Sequence, residues 1–485
     1  MISVLLMDCA HLPAQSSDPV QKSQAPKTVT LDDAKIYREA MVWFKKAEAM
    51  IGTPKENSDE QMEMFLKAAQ IMPDFVEAHY NLGLIYESRK QFREATIEFE
   101  RVLKIEPKFD NGLYFLLASA YQEIGNTESA IHALKEGLQR KPDDGKMLRA
   151  LAYLQSDSKD DDGAIRTLQR ILEIEPADVA SRIDLAQLFQ KRNEIGQAVN
   201  NYQEALHADP ENFTAHSNLG LILFRENKYP EAAAEFESAN RANPGNAEVL
   251  EMLGDAYSLQ QQHAKAVNAY KAALDKLPQR ASLFAKLGFS LANVKQTAEA
   301  ATALENAVRL NPNSADSFFL LGDLYGELNR PEDAIAAYKR SLELNPNQKD
   351  VHYNLGTFYA EQKRLDDAMA ELKTAVQLDP GYVSAWGNLA LVAEKLGVDK
   401  EAMQAYEKLI AMGKGQAINY FRLGVLYAKN DQADQAIAAF GKAIEMEPEK
   451  YRAKLREELK NVHSVLDSIR YKEAFVRLIN LPPAR

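Results

Sequence analysis

The sequence predicts an all-α fold built from stacked antiparallel helix pairs. Two observations predict it: a pattern that returns every 34 residues, and a fixed order of small residues, large apolar residues and proline within each copy. From Asn111 to Lys450 the chain divides into ten copies without insertion, and one further copy, Val76 to Phe109, precedes them. Positions are numbered 1 to 34 within each copy. Internal repetition with this period is typical of solenoid proteins.

Position 8 predicts where the two helices of a copy meet. It is small in every copy, in the order Gly83, Ala118, Ala152, Ala186, Gly220, Gly254, Gly288, Gly322, Gly356, Ala390 and Gly424. Glycine costs about 1 kcal/mol relative to alanine inside a helix. We therefore expect the backbone of a second helix to approach closely at position 8.

Positions 20 and 24 predict the second helix of each copy. Position 20 is alanine in all eleven copies, from Ala95 to Ala436, and position 24 is large and apolar. These positions lie one helical turn apart, so the small and the large residue share a face.

Proline marks the end of each copy. It stands at position 32 everywhere except in the copy from Val383 to Gln416, which has Lys414 there. Because proline cannot continue a helix interior, each copy predicts a helix, a short turn, a second helix and a turn at the proline. One such pair cannot bury its apolar face alone, so consecutive pairs should stack.

Several segments carry a family resemblance. The stretches "HYNLGLIY", "FLLGDLY" and "YNLGTFY", each followed by the alanine, the large apolar residue and the proline, resemble the tetratricopeptide repeat. The resemblance covers residues 76–450 as eleven tandem repeats, and it implies a right-handed α-solenoid superhelix of stacked antiparallel helix pairs. Residues 30–75 resemble a divergent further pair, interrupted by the insertion "IGTPKENSDE".

The two ends of the chain differ from the repeats. Residues 451–485 predict a capping helix and tail, because apolar residues recur every three or four positions at Leu455, Leu459, Val462, Leu466 and Ile469. From Lys450 onward nine Lys or Arg oppose four acids.

Residues 1–29 predict a disordered tail. Their short apolar run, interrupted by Asp8 and followed by Cys9, leaves a truncated signal or lipid-anchor segment as an open alternative. The localisation therefore stays open between the cytoplasm and, if the segment is a truncated signal, the periplasm or envelope.

The charge, the cysteine content and the motifs of the sequence exclude or disfavour several classes of function. Seventy acids against 58 Lys and Arg give a net charge of −12, which disfavours nucleic acid as the main partner. No run of 18 apolar residues predicts a transmembrane segment, and a single cysteine excludes an intramolecular disulfide. No metal-binding His-Glu-x-x-His motif, phosphate loop or additional catalytic domain occurs. We therefore expect no enzyme activity, no cofactor and no metal.

The resemblance implies a binding surface on the first helix of each repeat, through positions 2, 5, 9, 12 and 13. From Ala247 to Tyr382 these positions hold acids interleaved with aromatic residues and no Lys or Arg, which suits a basic or amide-rich protein segment. Position 6 adds two adjacent members of a broken asparagine ladder. The candidate partner-binding residues are Glu248, Glu251, Asp255, Phe289, Asp316, Phe319, Asp323, Glu327, Asp350, Tyr353, Asn354, Asn388 and Phe421.

The sequence favours a non-catalytic scaffold or adaptor that binds extended protein segments in a concave groove. Two alternatives stay open: an exported or lipid-anchored bacterial envelope protein that aids assembly or secretion, and a regulatory subunit of a separately encoded enzyme. The partner, the pathway and the oligomeric state do not follow from the sequence.

Overall fold

The computed structural model describes residues 31–461 and 469–480. Helices form all the regular secondary structure of these residues, with no strand among them, which confirms the predicted all-α fold. The N-terminal segment with Cys9 lies outside the described residues, as do Val462 and Leu466 of the C-terminal stripe. The chain divides into two compact units, Met1–Pro210 and Glu211–Arg485.

The described part of the first unit holds five antiparallel helix pairs, each formed by consecutive helices. Their bounds are α1 (Leu31–Glu48), α2 (Asp59–Ile71), α3 (Val76–Ser88), α4 (Phe92–Ile105), α5 (Gly112–Glu123), α6 (Thr127–Arg140), α7 (Gly145–Asp157), α8 (Asp161–Ile174), α9 (Val179–Lys191) and α10 (Ile195–Ala208). The second helix of each pair also packs on the first helix of the next pair, so the unit is a continuous stack.

The described part of the second unit holds seven such pairs and two terminal helices. Their bounds are α11 (Phe213–Arg225), α12 (Tyr229–Ala242), α13 (Ala247–Leu259), α14 (His263–Leu274), α15 (Ala281–Asn293), α16 (Thr297–Leu310), α17 (Ala315–Glu327), α18 (Pro331–Leu344), α19 (Lys349–Glu361), α20 (Leu365–Leu378), α21 (Val383–Leu396), α22 (Asp399–Ala411), α23 (Ala417–Lys429), α24 (Ala433–Met446), α25 (Pro448–Asn461) and α26 (Ile469–Asn480). Each proline at position 32 follows the end of a second helix, as the sequence predicts.

The packing within a pair explains the small residues. The alanine at position 20 is 0% exposed in all eleven repeats. A Cβ atom added at Gly322 would lie 2.5 Å from ring atoms of Tyr338, the residue at position 24. The close approach at position 8 is therefore mainly with a side chain of the second helix, and not with its backbone as the sequence suggested. Backbone also comes near at Gly288, where the carbonyl oxygen of Ala300 would lie 3.2 Å from an added Cβ.

The turn inside each pair has one shared geometry. The residue at position 15 has a positive φ in every repeat, and it is glycine only at Gly125 and Gly397. The amide of position 16 then bonds the carbonyl of position 11, as Gln91 bonds Tyr86 at 2.8 Å. This six-to-one hydrogen bond is the Schellman arrangement, which satisfies the last carbonyls of the first helix.

In several repeats the side chain at position 4 holds the turn between pairs by a hydrogen bond. Nε2 of His352 bonds the carbonyl of Pro346 at 3.0 Å, and Nε1 of Trp386 bonds the carbonyl of Pro380 at 3.0 Å. The other ring nitrogen of His352 lies 2.6 Å from Glu371. Both nitrogens of His352 thus face acceptors, an arrangement that favours the doubly protonated ring.

His352 should make stability depend on pH. Burial lowers the pKa of His352, but its hydrogen bonds to Glu371 and to the carbonyl of Pro346 raise it more, so the pKa lies above its ordinary value. Because the folded-state pKa exceeds the unfolded one, this stabilisation is complete below about pH 6.5 and is lost as the pH rises through the folded-state value. We expect His352→Gln to reduce the urea midpoint more near pH 6 than near pH 8.5.

His132→Gln serves as the control, because His132 is exposed and lies 4.0 Å from Glu136. It should lower the midpoint little at either pH. An equal effect of His352→Gln at both pH values would contradict the assigned role of His352.

The terminal helices bury apolar residues against the last pair. Tyr451 on α25 and Phe475 on α26 are fully buried. The ring of Phe475 lies 5.6 Å from that of Phe440, and the ring of Tyr451 lies 5.3 Å from that of Phe421. Through these contacts α25 and α26, which do not follow the 34-residue pattern, cover the last helix pair.

Candidate functional site

The candidate surface is the first-helix face of the second unit, formed by positions 2, 5, 6, 9, 12 and 13 of its first helices. Neighbouring first helices contact one another from α11 to α21, so their faces form one surface. The alternation of helices places these side chains together although they are 34 residues apart in the chain. All of the predicted binding residues belong to this unit.

Four of the predicted acids lie exposed on this surface: Glu248, Asp316, Glu327 and Asp350. Two of them accept a local hydrogen bond: Glu327 from the hydroxyl of Thr297 at 3.1 Å, and Asp350 from the hydroxyl of a neighbouring tyrosine. A carboxylate offers several acceptor lone pairs, so one hydrogen bond leaves others available. These four acids therefore remain open to a basic partner.

Glu251 and Asp255 belong to an internal ion cluster instead. Nζ of Lys286 lies 2.7 Å from a carboxylate oxygen of each, and Arg280 lies 3.2 Å from Glu251. Burial opposes the charge on Lys286, but its hydrogen bonds to both acids hold its pKa above the ordinary value. Glu251 is only 6% exposed. The sequence interpretation was wrong to place Glu251 at an open surface, because it ignored the cation at position 6 of the next repeat.

Asp323 is also engaged within the protein. It accepts hydrogen bonds from the hydroxyl of Tyr338 at 2.5 Å and from Nδ2 of Asn354 at 3.0 Å. Burial raises the pKa of Asp323, and these two hydrogen bonds oppose part of the rise. Asn388 has the same role one repeat later, since its Nδ2 bonds Thr357 at 2.9 Å. Position 6 thus links adjacent first helices, which the asparagine-ladder interpretation did not anticipate.

The predicted aromatic residues divide into three groups. Phe289 is 44% exposed. Phe319 and Tyr353 are partly buried, and the ring of Tyr353 lies 5.0 Å from that of Tyr382. Phe421 is 6% exposed, since Tyr451 covers it. Its inclusion among the binding residues was wrong, because the contribution of the terminal helices to this core was not visible in the repeat pattern.

Three features of the surface were missed from the sequence. Leu259 and Leu391 are exposed at positions 13 and 9. Gly387 lies at position 5 with open space above it, because a Cβ added there would meet nothing within 4 Å. The sequence could have revealed the two leucines, because both are large apolar residues at positions that face away from the helix pair.

The family follows from the repeats themselves. Family models described as tetratricopeptide repeat match residues 76–109, 121–188, 183–247, 223–288, 286–346, 319–383, 383–412 and 417–450. The chain belongs to the tetratricopeptide repeat family. This confirms the resemblance seen in the sequence, and it supports a scaffold for protein–protein interaction as the general role of this tetratricopeptide repeat protein.

Three solved structures show the range of similarity to this chain. YrrB, described as a TPR protein with an unusual peptide-binding site, is 24% identical over 40% of this chain and 97% of that chain, with a TM-score of 0.36. A tetratricopeptide repeat protein from Parabacteroides merdae is 17% identical over 55% of this chain and 99% of that chain, with a TM-score of 0.37. Naa15/Naa10 bound to HypK-THB is 16% identical over 92% of this chain and 79% of that chain, with a TM-score of 0.39. Likeness at this level does not extend to a partner or a role.

No curated protein matches this tetratricopeptide repeat chain. None of the described helices is long and apolar enough to cross a lipid bilayer. Within residues 31–461 and 469–480, no three His, Cys, Asp or Glu side chains are grouped to hold a metal ion.

Proposed function

We propose that this protein is a non-catalytic scaffold that binds an extended protein segment along the first-helix face of its second unit. The observation that carries the proposal is the exposure of three large apolar residues on that face: Leu259, Phe289 and Leu391. Exposed apolar residues that share one surface are typical of an interaction site. Tetratricopeptide repeats are generally non-catalytic scaffolds, which agrees with this role.

The charges of the face define the proposed partner. The exposed acids Glu248, Asp316, Glu327 and Asp350 lie on α13, α17 and α19, first helices of the same face. Acids of this kind steer a basic segment toward the surface, and the apolar side chains anchor it. We therefore propose a partner segment that carries both basic and apolar residues. Tyr353, Phe319 and the amide oxygens of Asn354 and Asn388 would contribute secondary contacts.

Gly387→Trp tests the proposal directly. Nothing lies within 4 Å of a Cβ added at Gly387, so the protein should accommodate the larger residue. Loss of glycine from a helix interior should also stabilise the fold slightly. The indole would project from the first-helix face and obstruct a bound segment. We expect affinity for the partner to fall at least about tenfold, with no loss of thermal stability.

Gly196→Trp is the matched control. Gly196 lies at the start of α10, is exposed, and likewise has nothing within 4 Å of an added Cβ. Proteins that copurify with the tagged full chain would be quantified by mass spectrometry for the wild type and both variants. Selective loss of partners from Gly387→Trp would support the proposal. Identical sets of partners for the two variants would contradict it.

A further inference from the structure

In one repeat of the second unit, position 12 of the first helix holds an acid that is paired with donors from the same chain. On α21, Glu394 accepts a hydrogen bond from the hydroxyl of Tyr406 at 2.8 Å. Nη1 of Arg422 lies 2.9 Å from both carboxylate oxygens of Glu394. Tyr406 is at position 24 of the same repeat, and Arg422 is at position 6 of the next. The repeat geometry thus supplies one hydroxyl and one guanidinium to a position-12 carboxylate.

Glu87 is the equivalent acid on α3 of the first unit, but both of its donors are missing. Position 24 of its repeat is Phe99, and position 6 of the next repeat is Leu116. Among the described residues, no hydrogen-bond donor or cation pairs with the side chain of Glu87. That side chain is nevertheless partly buried. Burial alone raises the pKa of Glu87 to about 7.

The surroundings of Glu87 suit a cation. Tyr80, Leu84 and Glu87 follow one another at four and three residues, so they share one stripe of α3. The ring of Tyr80 packs on that of Phe109, with 5.2 Å between the ring centroids. Burial is the main cause that raises the pKa of the Tyr80 hydroxyl, and the negative charges of Asp110 and Glu87 raise it further. A guanidinium is favoured both by a carboxylate and by an aromatic ring.

We propose that Glu87 receives an arginine side chain of a protein partner on the first-helix face of the first unit. The partner's guanidinium would take the place that Arg422 takes at Glu394. A partly buried carboxylate without a countercharge is unfavourable, and a charge-assisted bidentate hydrogen bond removes that cost on binding. This site lies in a different unit from the surface proposed above, and it does not depend on that proposal.

In the variant Leu116→Arg, an arginine of the protein itself should occupy the site beside Glu87. The new guanidinium would stand at position 6 of the next repeat, as Arg422 does, and would compete with a partner's arginine. Leu116→Met, which keeps an apolar side chain of similar size, is the matched control. Glu87→Gln removes the charge without changing the shape, and it tests the site even if Leu116→Arg does not fold.

The probe is a labelled pool of 12-residue peptides without acids, in which one central residue is fixed as arginine. Its twin pool has citrulline there, which keeps the shape of arginine but lacks the charge. Fluorescence polarisation with the full chain would measure both pools, and every protein compared, the wild type included, would also carry Glu248→Gln, Asp316→Asn, Glu327→Gln and Asp350→Asn, so that the exposed acids of the second unit do not contribute to the preference. We expect the wild type and Leu116→Met to prefer the arginine pool by about tenfold, and Glu87→Gln and Leu116→Arg to show no preference.

Two results would overturn the proposal. The first is an arginine preference that survives in Glu87→Gln. The second is a wild type that binds the two pools equally or binds neither. Thermal melts of all four proteins would confirm that loss of preference does not reflect loss of fold.

Discussion

Gly322→Leu is expected to destabilise the second unit by about 3 kcal/mol. A Cβ at this position would lie 2.5 Å from ring atoms of Tyr338, and a leucine adds three further carbons. The ring of Tyr338 cannot retreat freely, because Tyr338 is 4% exposed and its hydroxyl bonds Asp323 at 2.5 Å. The measurement is the urea midpoint of the full chain, which should fall clearly.

Gly387→Leu is the matched control for this prediction. Both glycines lie in first helices of the second unit, but Gly387 has open space above it. Leucine has a better helix propensity than glycine, so the midpoint of Gly387→Leu should stay the same or rise. If the two variants were equally destabilised, the cost would come from loss of glycine itself and not from the contact with Tyr338.

Lys286→Met is expected to cost about 2–4 kcal/mol of folding stability near neutral pH. Nζ of Lys286 lies 2.7 Å from both Glu251 and Asp255, and Glu251 is almost fully buried. Methionine keeps most of the volume but leaves two neighbouring carboxylates without their shared cation. Arg280, at 3.2 Å from Glu251, should compensate only in part.

A double variant separates the charge effect from packing. Glu251→Gln combined with Lys286→Met removes one of the two charges left unpaired, so the double variant should unfold at a higher urea concentration than Lys286→Met alone. A double variant that is less stable than Lys286→Met would contradict the assignment of Lys286 as the countercharge of this cluster.

The fold was largely predictable because its determinants repeat. The spacing of Ala95 and its equivalents, and of proline at position 32, shows the helix pairs without reference to distant contacts. The turn at position 15 was less visible. Its residues share a left-handed backbone but not a residue type, since glycine occurs there only at Gly125 and Gly397. Asparagine and lysine fill most other repeats, and they tolerate that conformation at some cost.

The candidate surface was predictable only in part. Phe289, which was chosen by its position within the repeat, is exposed in the structure. It did not show that Lys286 neutralises Glu251, because the two residues meet only when adjacent first helices are side by side. Nor did it show that Phe421 is covered, since Tyr451 lies beyond the last repeat. Contacts between repeats therefore decide which of the predicted side chains are free.

The most direct test of the proposed scaffold function is site-specific photo-cross-linking in cells. A photoreactive phenylalanine analogue would replace Leu391 on the first-helix face or Leu378 at the end of α20. The two positions are matched, because Leu391 is 38% exposed and Leu378 is 39% exposed. We predict covalent capture of a partner protein from position 391 and none from position 378. Equal capture from both positions, or capture from position 378 alone, would contradict binding on the first-helix face.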